Sequence, residues 1–317
     1  MAPDAAAVAS AHDRIRAHVR HTPLELSRTL SESVGTAVYL KLECWQPTRS
    51  FKVRGAFNAV AGLSPAARSR GLVTASAGNH GQAVALAAGT FGAQVTVFVP
   101  RDAPEAKQRR IRALGAQLDA TAANYDAAEV LAASFAREAG ATLVHAFSDD
   151  DVVAGQGTVG LEILADLPSV RTIIVPVGGG GLSAGMGTVV KARAPEVRMI
   201  GVQSVETRVM YESLRAGHVV ELPVTPTLAD GLAGGIDARS LERVRRVVDE
   251  IHLVDEHAIA EAIRALFQDE GIVVEGSSAT AVAALHTLRG QVIGPVAVVL
   301  TGGNIDATRF ARILSRC

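Results

Sequence analysis

Cysteine, aromatic residues and net charge are all scarce in this sequence of 317 residues, and each scarcity excludes a class of protein. The two cysteines, Cys44 and Cys317, are too few for the disulfide framework of a small secreted protein and favour a reducing, cytoplasmic location. Aromatic residues make up 4% of the chain, which argues against the base-stacking surfaces of proteins that bind single-stranded nucleic acid. A net charge of −1 gives no electrostatic reason to expect nucleic acid or an anionic membrane as a partner.

Long apolar runs and metal-binding patterns are also missing. No apolar run reaches the roughly 18–20 residues that a membrane-spanning helix needs. The first residues lack the basic start and apolar block of a signal peptide. The nine histidines show no zinc-ligand spacing, so we expect no zinc site. The whole chain is 48% hydrophobic and 20% charged, which is the composition of a globular protein, and it is long enough for two domains.

Strand and helix patterns alternate along the chain, which predicts an α/β fold with two domains, each with a mainly parallel sheet flanked by helices. We place the smaller domain at 71–140 and the larger at 1–61 with 149–317, leaving 62–70 and 141–148 as connections. The predicted strands are 38–43, 72–75, 94–99, 117–120, 142–145, 172–177, 199–203 and 295–300. The main predicted helices are 5–19, 82–88, 104–114, 125–139, 151–167, 182–193, 256–268 and 277–288, with another beginning at Val53.

Lys52 stands at the start of that last helix, directly after an irregular run. A helix N-terminus carries partial positive charge, so it lowers the pKa of a nearby amine. A neutral lysine amine is what Schiff-base chemistry needs. The ordinary interpretation of such a lysine is a solvated side chain, and this position alone does not exclude it.

Four consecutive glycines, Gly178, Gly179, Gly180 and Gly181, follow a buried strand and open a helix. Bare backbone N–H groups at a helix N-terminus form a cradle for an anion such as phosphate. The run matches neither the dinucleotide motif nor the ATP-binding P-loop, so it favours a single phosphate group. The alternative is a flexible turn.

Two further loops follow strands and are predicted to meet the glycines at the carboxyl edge of the sheets. Residues 76–81 combine a hydroxyl, a glycine and an amide, a set that can bind a carboxylate. Ser76 or Asn79 can equally be a helix cap, and so can Thr301 in the second loop. His80 can be a hydrogen-bonded structural residue.

Together these motifs resemble the fold-type II pyridoxal-phosphate (PLP) enzymes, in the branch of threonine/serine dehydratases and serine racemases. The resemblance extends from about Ile15 to Arg312. The motifs that carry it, in family order, are Ser50-Phe51-Lys52-Val53-Arg54-Gly55-Ala56, Ser76-Ala77-Gly78-Asn79-His80, Gly155-Gln156-Gly157-Thr158, Gly178–Gly181, Leu228-Ala229-Asp230-Gly231 and Thr301-Gly302-Gly303-Asn304.

The resemblance implies PLP as cofactor, a small amino acid as substrate, and a homodimer. Its implied roles are as follows: Lys52 carries the cofactor and moves the α-proton, Phe51 packs beside the ring, Asn79 bonds the 3′ oxygen, Gly178 to Gly181 hold the phosphate, Thr301 bonds the pyridine nitrogen, and Glu275 lies close to the ring. The implied substrate contacts are Ser76, Ala77, Gly78, Asn79 and His80 at the carboxylate and Asp230 near the distal end.

A hydroxyl at the pyridine nitrogen makes the ring a weaker electron sink than an aspartate would, which favours prompt loss of a β-hydroxyl. We therefore expect β-elimination from a β-hydroxy amino acid, with serine or threonine as the default substrate, giving a 2-keto acid and ammonia. Ala77 stands where the racemases carry serine as a second proton donor, so racemisation is not expected. β-Replacement, as in cysteine synthases, and a non-enzymatic sensor of a phosphate ligand remain alternatives of other classes.

Other departures from the family bear on the substrate and on metals. Arg49, Ala128 and Gly234 differ from the usual residues, and Gly276 replaces a usual proline. They suggest a roomier, more basic pocket and a larger or acidic substrate, such as a phenylserine, a 3-hydroxyaspartate or a hydroxyectoine-derived amino acid. Gln203 and Val209 occupy positions where metal-binding relatives have acidic residues, so we expect no divalent cation site.

Overall fold

The computed structural model describes residues 3–223 and 225–315, and within them the chain forms two sheets flanked by helices. Cys317 lies outside the described residues. The larger sheet has the strand order β1-β2-β10-β7-β8-β9, and the smaller has the order β5-β4-β3-β6. The strands are β1 (Leu24–Ser27), β2 (Val38–Lys41), β3 (Leu72–Ala75), β4 (Val95–Pro100), β5 (Gln117–Ala122), β6 (Thr142–Leu143), β7 (Thr172–Pro176), β8 (Arg198–Ser204), β9 (Glu250–Val254) and β10 (Val296–Val299).

Most of the helices lie between successive strands in the chain and flank the sheets. They are α1 (Ala5–Ile15), α2 (Arg28–Val34), α3 (Lys52–Gly62), α4 (Pro65–Ser69), α5 (Asn79–Thr90), α6 (Glu105–Ala113), α7 (Tyr125–Ala139), α8 (Asp150–Asp166), α9 (Gly181–Arg193), α10 (Val209–Ala216), α11 (Ala238–Val247), α12 (Glu256–Glu270), α13 (Gly276–Thr287) and α14 (Ala307–Ser315). Within the described ranges, every helix is too short or too polar to cross a bilayer.

The predicted α/β fold with mainly parallel sheets is confirmed. In the larger sheet β1 alone runs antiparallel to its neighbour, and the pairs of the smaller sheet are parallel. Sequence patterning missed β1, because this edge strand of four residues is mostly exposed and has no apolar run. The smaller sheet takes its strands from residues 72–143. The domain boundaries themselves stay a prediction.

A buried charge network anchors α3, the helix that begins with Lys52. The fully buried Arg54 guanidinium contacts Glu43 on one side and Glu162 of α8 on the other, each at 2.7 Å. Glu162 also pairs with the buried Lys41 amine of β2 at 2.7 Å. Burial by itself would lower the pKa of Arg54, but the two carboxylates raise it, so the guanidinium stays charged. The four charges cancel, which lets α3 sit on α8 without an unpaired ion in the core.

Candidate active site

A cavity of about 310 Å³ opens between the two sheets, at the ends of the strands where ligands bind in this class of fold. Every residue to which the sequence analysis gave a cofactor or substrate contact lines it. They are Phe51, Lys52, Ser76, Ala77, Gly78, Asn79, His80, Gly178, Gly179, Gly180, Gly181, Asp230, Glu275 and Thr301. The structure therefore brings together groups that lie up to 250 positions apart in the sequence, since Phe51 and Thr301 are both in the cavity wall.

Lys52 is the first residue of α3, one position earlier than predicted. Its Nζ donates a hydrogen bond to the carbonyl of Ala146 at 3.0 Å. Burial lowers the pKa of Lys52 to about 8, while the charge of Glu275 opposes the shift. The lowered pKa was expected, and burial is a cause that the argument from the helix N-terminus did not include. A substantial fraction of the Lys52 amine is therefore neutral at mildly alkaline pH.

The loop that carries Lys52 is tied to the end of β10. The backbone N–H of Phe51 donates to the carbonyl of Thr301 at 3.0 Å. Ser50 and Gly302 form an antiparallel bridge beside it. These bonds hold the lysine and the Thr301 hydroxyl in one part of the wall. Thr301 is buried and does not cap a helix, because α14 begins only at Ala307.

The glycine loop runs from the end of β7 into α9, as predicted, and its shape excludes side chains. A Cβ on Gly179 would lie 2.4 Å from the ring of Phe147, and one on Gly181 would lie 3.0 Å from the Cα of the same residue. Gly180 adopts a left-handed φ of +85°, which favours glycine. The loop is therefore packed rather than a flexible turn, and the first N–H groups of α9 have no partner inside the helix.

The 76–81 loop leads into α5, whose N-cap is Gly78, so neither Ser76 nor Asn79 caps it with a side chain. The hydroxyl of Ser76 accepts a hydrogen bond from the N–H of Gly78 at 3.1 Å. The amide of Asn79 is held at both ends. It donates to Glu275 Oε1 at 2.7 Å, and its oxygen accepts from the Asn304 side chain at 2.7 Å.

His80 has a structural hydrogen bond: its Nε2 lies 3.0 Å from the carbonyl of Val144. Burial lowers the pKa of His80 to about 3, and the charge of Lys52 acts in the same direction. The imidazole is therefore neutral and donates to Val144, which leaves the backbone N–H of His80 as its donor at the helix start.

Two acidic residues face the same cavity. Burial raises the pKa of Glu275 to about 7, and the charge of Asp230 adds to that shift. Asp230 pairs with Lys107 of α6 at 3.1 Å and with Arg309 at 3.6 Å. The contact between Asp230 and Lys107 joins the small-sheet half of the molecule to the large-sheet half across the mouth of the cavity.

The sequence analysis missed several residues that line the cavity, among them Lys107, Arg110, Tyr125, Ala146 and Phe147. Ala146 and Phe147 fall in a predicted connection, where no periodic pattern points to a contact. Asn304 stood in a quoted motif but was given no role. It donates to the Thr48 carbonyl and to Asn79, so it links the lysine loop to the 76–81 loop.

Most of the departures thought to enlarge the pocket lie away from it. Among the described cavity-lining residues, Gly234 is present, whereas Arg49 and Ala128 are not. Ala128 is fully buried in the core against the smaller sheet. Arg49 adopts a left-handed φ of 56°, which accounts for the glycine usual at this position. A Cβ on Gly276 would lie 2.1 Å from the Leu228 carbonyl, so this glycine adds no room.

The two positions compared with a cation site have local structural roles. The Gln203 side chain donates to the Thr207 carbonyl at 2.7 Å and accepts from the N–H of Tyr211 at 2.8 Å. Val209 is the first residue of α10. Across the described part of the chain, no group of three or more His, Cys, Asp or Glu side chains is arranged to hold a metal ion. The lack of a cation site stays a prediction.

Comparison with known proteins places the chain in a family. The family model described as "Pyridoxal-phosphate dependent enzyme" matches residues 15–302. The chain belongs to this family. An L-threonine ammonia-lyase of Thermotoga maritima is 45% identical over 302 residues, which cover 94% of this chain and 75% of that protein.

Solved structures of related enzymes agree with the fold described above. A maize serine racemase superposes with a TM-score of 0.93 and 32% identity, covering 98% of each chain. The processed form of threonine deaminase isoform 2 from Solanum lycopersicum gives a TM-score of 0.91 and 31% identity, covering 100% of this chain and 95% of that one. These relatives include both a racemase and a deaminase, so the fold alone does not decide the reaction.

The residues present fit PLP, the cofactor of this family. The cavity offers an amine of lowered pKa for the aldehyde and, in the same wall, a loop of bare glycines packed on Phe147 for the phosphate. A helix N-terminus following that loop favours an anion. The buried hydroxyl of Thr301 and the fixed amide of Asn79 supply neutral polar groups for the ring.

Proposed function

We propose that this protein is a PLP-dependent ammonia-lyase that converts L-threonine or L-serine into a 2-keto acid and ammonia. The observation that carries the proposal is the Lys52 amine, whose pKa burial lowers, in one cavity with the packed glycine loop. The identity to an L-threonine ammonia-lyase, 45% over most of the chain, supports this choice of reaction and substrate.

The proposed cofactor contacts follow from position in the cavity wall. PLP, when bound, links covalently to a lysine amine and withdraws electrons from the α-carbon of an amino acid, which makes the α-proton acidic. Lys52 would hold the aldehyde end and accept the α-proton at Nζ. Gly178, Gly179, Gly180 and Gly181 would hold the phosphate through their N–H groups. The proposed ring contacts are Phe51, Asn79, Glu275 and Thr301.

The proposed substrate contacts lie at the start of α5. Ser76, Gly78, Asn79 and His80 would receive the carboxylate, His80 through its backbone N–H because its ring donates to Val144. Ala77 has no proton to donate to a second face, so we propose elimination rather than racemisation. Asp230 would face the distal end of the substrate.

A keto-acid assay over a panel of amino acids tests the function. We expect threonine and serine to give keto acid and ammonia, with D-serine absent from the recovered substrate. The panel includes phenylserine, 3-hydroxyaspartate and a hydroxyectoine-derived amino acid, although few of the residues that suggested them line the cavity. Preference for one of those compounds would overturn the substrate assignment. Cysteine formed from O-acetylserine and sulfide would favour β-replacement instead.

The rate at which the apoprotein combines with added PLP should depend on pH. Only a neutral amine attacks an aldehyde, so the rate is expected to rise with pH as Lys52 loses its proton near its pKa of about 8. Nα-acetyl-lysine, with an amine at the ordinary pKa of 10.5, is the control for titration of PLP itself. A protein rate that follows the free amine would show that the site does not lower this pKa.

We also propose that the protein is a cytoplasmic homodimer. Some large apolar side chains are about half exposed in the single chain, such as Leu26 at 49% and Trp45 at 47%. A dimer interface would remove them from contact with water. The low number of cysteines suits a reducing compartment. Light scattering on the purified protein measures the mass, and a value equal to the 32.9 kDa of one chain would contradict the dimer.

A further inference from the structure

The turn formed by residues 145–148 contacts the site at two points, although no motif marks it. The carbonyl of Ala146 accepts the hydrogen bond from Lys52 Nζ at 3.0 Å. The ring of Phe147 lies against the glycine loop, at the place where a Cβ on Gly179 would stand. The same turn thus touches the amine and the anion cradle.

His145 holds the shape of this turn. Its Nδ1 accepts hydrogen bonds from the backbone N–H groups of Phe147 at 3.4 Å and Ser148 at 3.2 Å. Its ring also meets the Phe147 ring edge to face, with centroids 4.6 Å apart. An Nδ1 that accepts two hydrogen bonds carries no proton, so the proton of the neutral ring lies on Nε2.

The other side of the ring faces α7. Nε2 lies 3.6 Å from Glu129 Oε1, and that oxygen also accepts a hydrogen bond from the Tyr125 hydroxyl at 2.7 Å. Burial lowers the pKa of His145; Lys52 adds to that shift, whereas Glu129 and Asp237 oppose it. The ring is therefore neutral near pH 7, as the two accepted hydrogen bonds require.

The far end of the turn is anchored separately. The Ser148 hydroxyl donates to Asp237, the N-cap of α11, and its carbonyl accepts from Arg243 at 3.1 Å. His145 alone, among the described side chains, bonds the N–H groups of Phe147 and Ser148. Loss of its acceptor would free the part of the turn that touches Lys52 and the glycines.

We propose that His145 is a positioning residue: the lone pair of its Nδ1 fixes the 145–148 turn, and the turn holds the Lys52 amine and the glycine loop in place for PLP. The inference rests on the proposed roles of Lys52 and the glycines. The proposed role requires no chemistry at His145 itself, because the ring acts only through Ala146 and Phe147, the two residues of the turn that touch the site.

Three variants at position 145 distinguish the role of Nδ1 from that of Nε2. Asparagine places an acceptor where Nδ1 stands and can bond the same two N–H groups, whereas the amide of glutamine lies one carbon further out, at the Nε2 position, where its NH2 can donate toward Glu129. Alanine keeps neither. The measured quantity is the dissociation constant of PLP for the apoprotein, and thermal unfolding of each apoprotein reports overall stability.

We expect His145→Ala to raise the dissociation constant about tenfold, less than two hydrogen bonds are worth in full, because only part of their loss is transmitted to the PLP site. His145→Gln should match alanine, and His145→Asn should restore binding to within about threefold of the unchanged protein. If the alanine variant does not fold, the comparison of asparagine with glutamine still decides the question.

Several outcomes would overturn the inference. Unchanged PLP affinity in all three variants, or rescue by glutamine and not by asparagine, excludes the role of Nδ1. Equal loss of affinity in asparagine and alanine excludes it as well. If the unchanged apoprotein does not bind PLP, the proposed function fails; if it binds PLP and His145→Ala binds equally well, only the positioning role fails.

Discussion

Lys52→Ala should lower the rate of keto-acid formation from threonine by about 10³-fold or more, because it removes both the covalent attachment of the cofactor and the base at the α-carbon. Lys52→Arg should lose as much, since a guanidinium keeps the charge but stays protonated. The result would tie turnover to a neutral amine at this position rather than to positive charge in the cavity.

The measurement combines turnover with chemical labelling. Borohydride reduction of the PLP-loaded protein should attach the cofactor to the peptide that contains Lys52, and peptide mass spectrometry locates it. Lys191→Ala is the matched control, because Lys191 pairs with Asp249 outside the cavity. Full turnover in Lys52→Ala, or a label on another lysine, would refute the catalytic assignment.

Arg54→Met should destabilise the protein by about 3–5 kcal/mol, because it leaves the buried Glu43 without a counter-charge. Methionine keeps much of the volume, so the loss reports charge rather than a cavity. For a chain of this length we expect the melting temperature to fall by about 10 °C.

A second substitution tests that explanation. Glu43→Gln combined with Arg54→Met removes both members of one pair and leaves Glu162 with Lys41, so it should recover most of the lost stability. Arg246→Met provides the exposed control, because its pair with Glu242 is largely in solvent and should change the melting temperature little. A double variant no more stable than Arg54→Met would mean that packing, not the unpaired carboxylate, sets the loss.

The buried charge network around Arg54 also fixes the position at which α3, the helix that begins with Lys52, starts. Arg54 stands two residues after Lys52, and its ion pairs with Glu43 and Glu162 fix the first turn of α3. Phe51 is bonded at the same point to Thr301. The position of the amine is thus set by buried charge on one side and by backbone bonding on the other.

Much of the site was predictable because its parts are local. A buried strand followed by glycines predicts an anion cradle, since strand, turn and helix start are neighbours in the chain. The same holds for Ser76 to His80, which all lie in one strand-to-helix turn. Their meeting in one cavity follows from the rule that loops at the carboxyl edge of parallel strands face the ligand.

The contacts between these loops were not predictable. Nothing near Lys52 in the chain indicates that its amine bonds the carbonyl of Ala146, 94 positions away. The departures at Arg49 and Ala128 looked like changes to the pocket, yet one has a left-handed backbone and the other lies in a core. Sequence position within a motif does not say which way a side chain points.

By itself, the sequence determined the fold class, the family and the loops that meet at the cavity, because strand periodicity, glycine at tight turns and motif order are properties of short segments. The tertiary structure decided which groups are buried and therefore which pKa values shift, since loss of solvent depends on neighbours from distant parts of the chain. It also decided that the 145–148 turn belongs to the site, because its contacts with Lys52 and with the glycine loop join residues far apart in the chain.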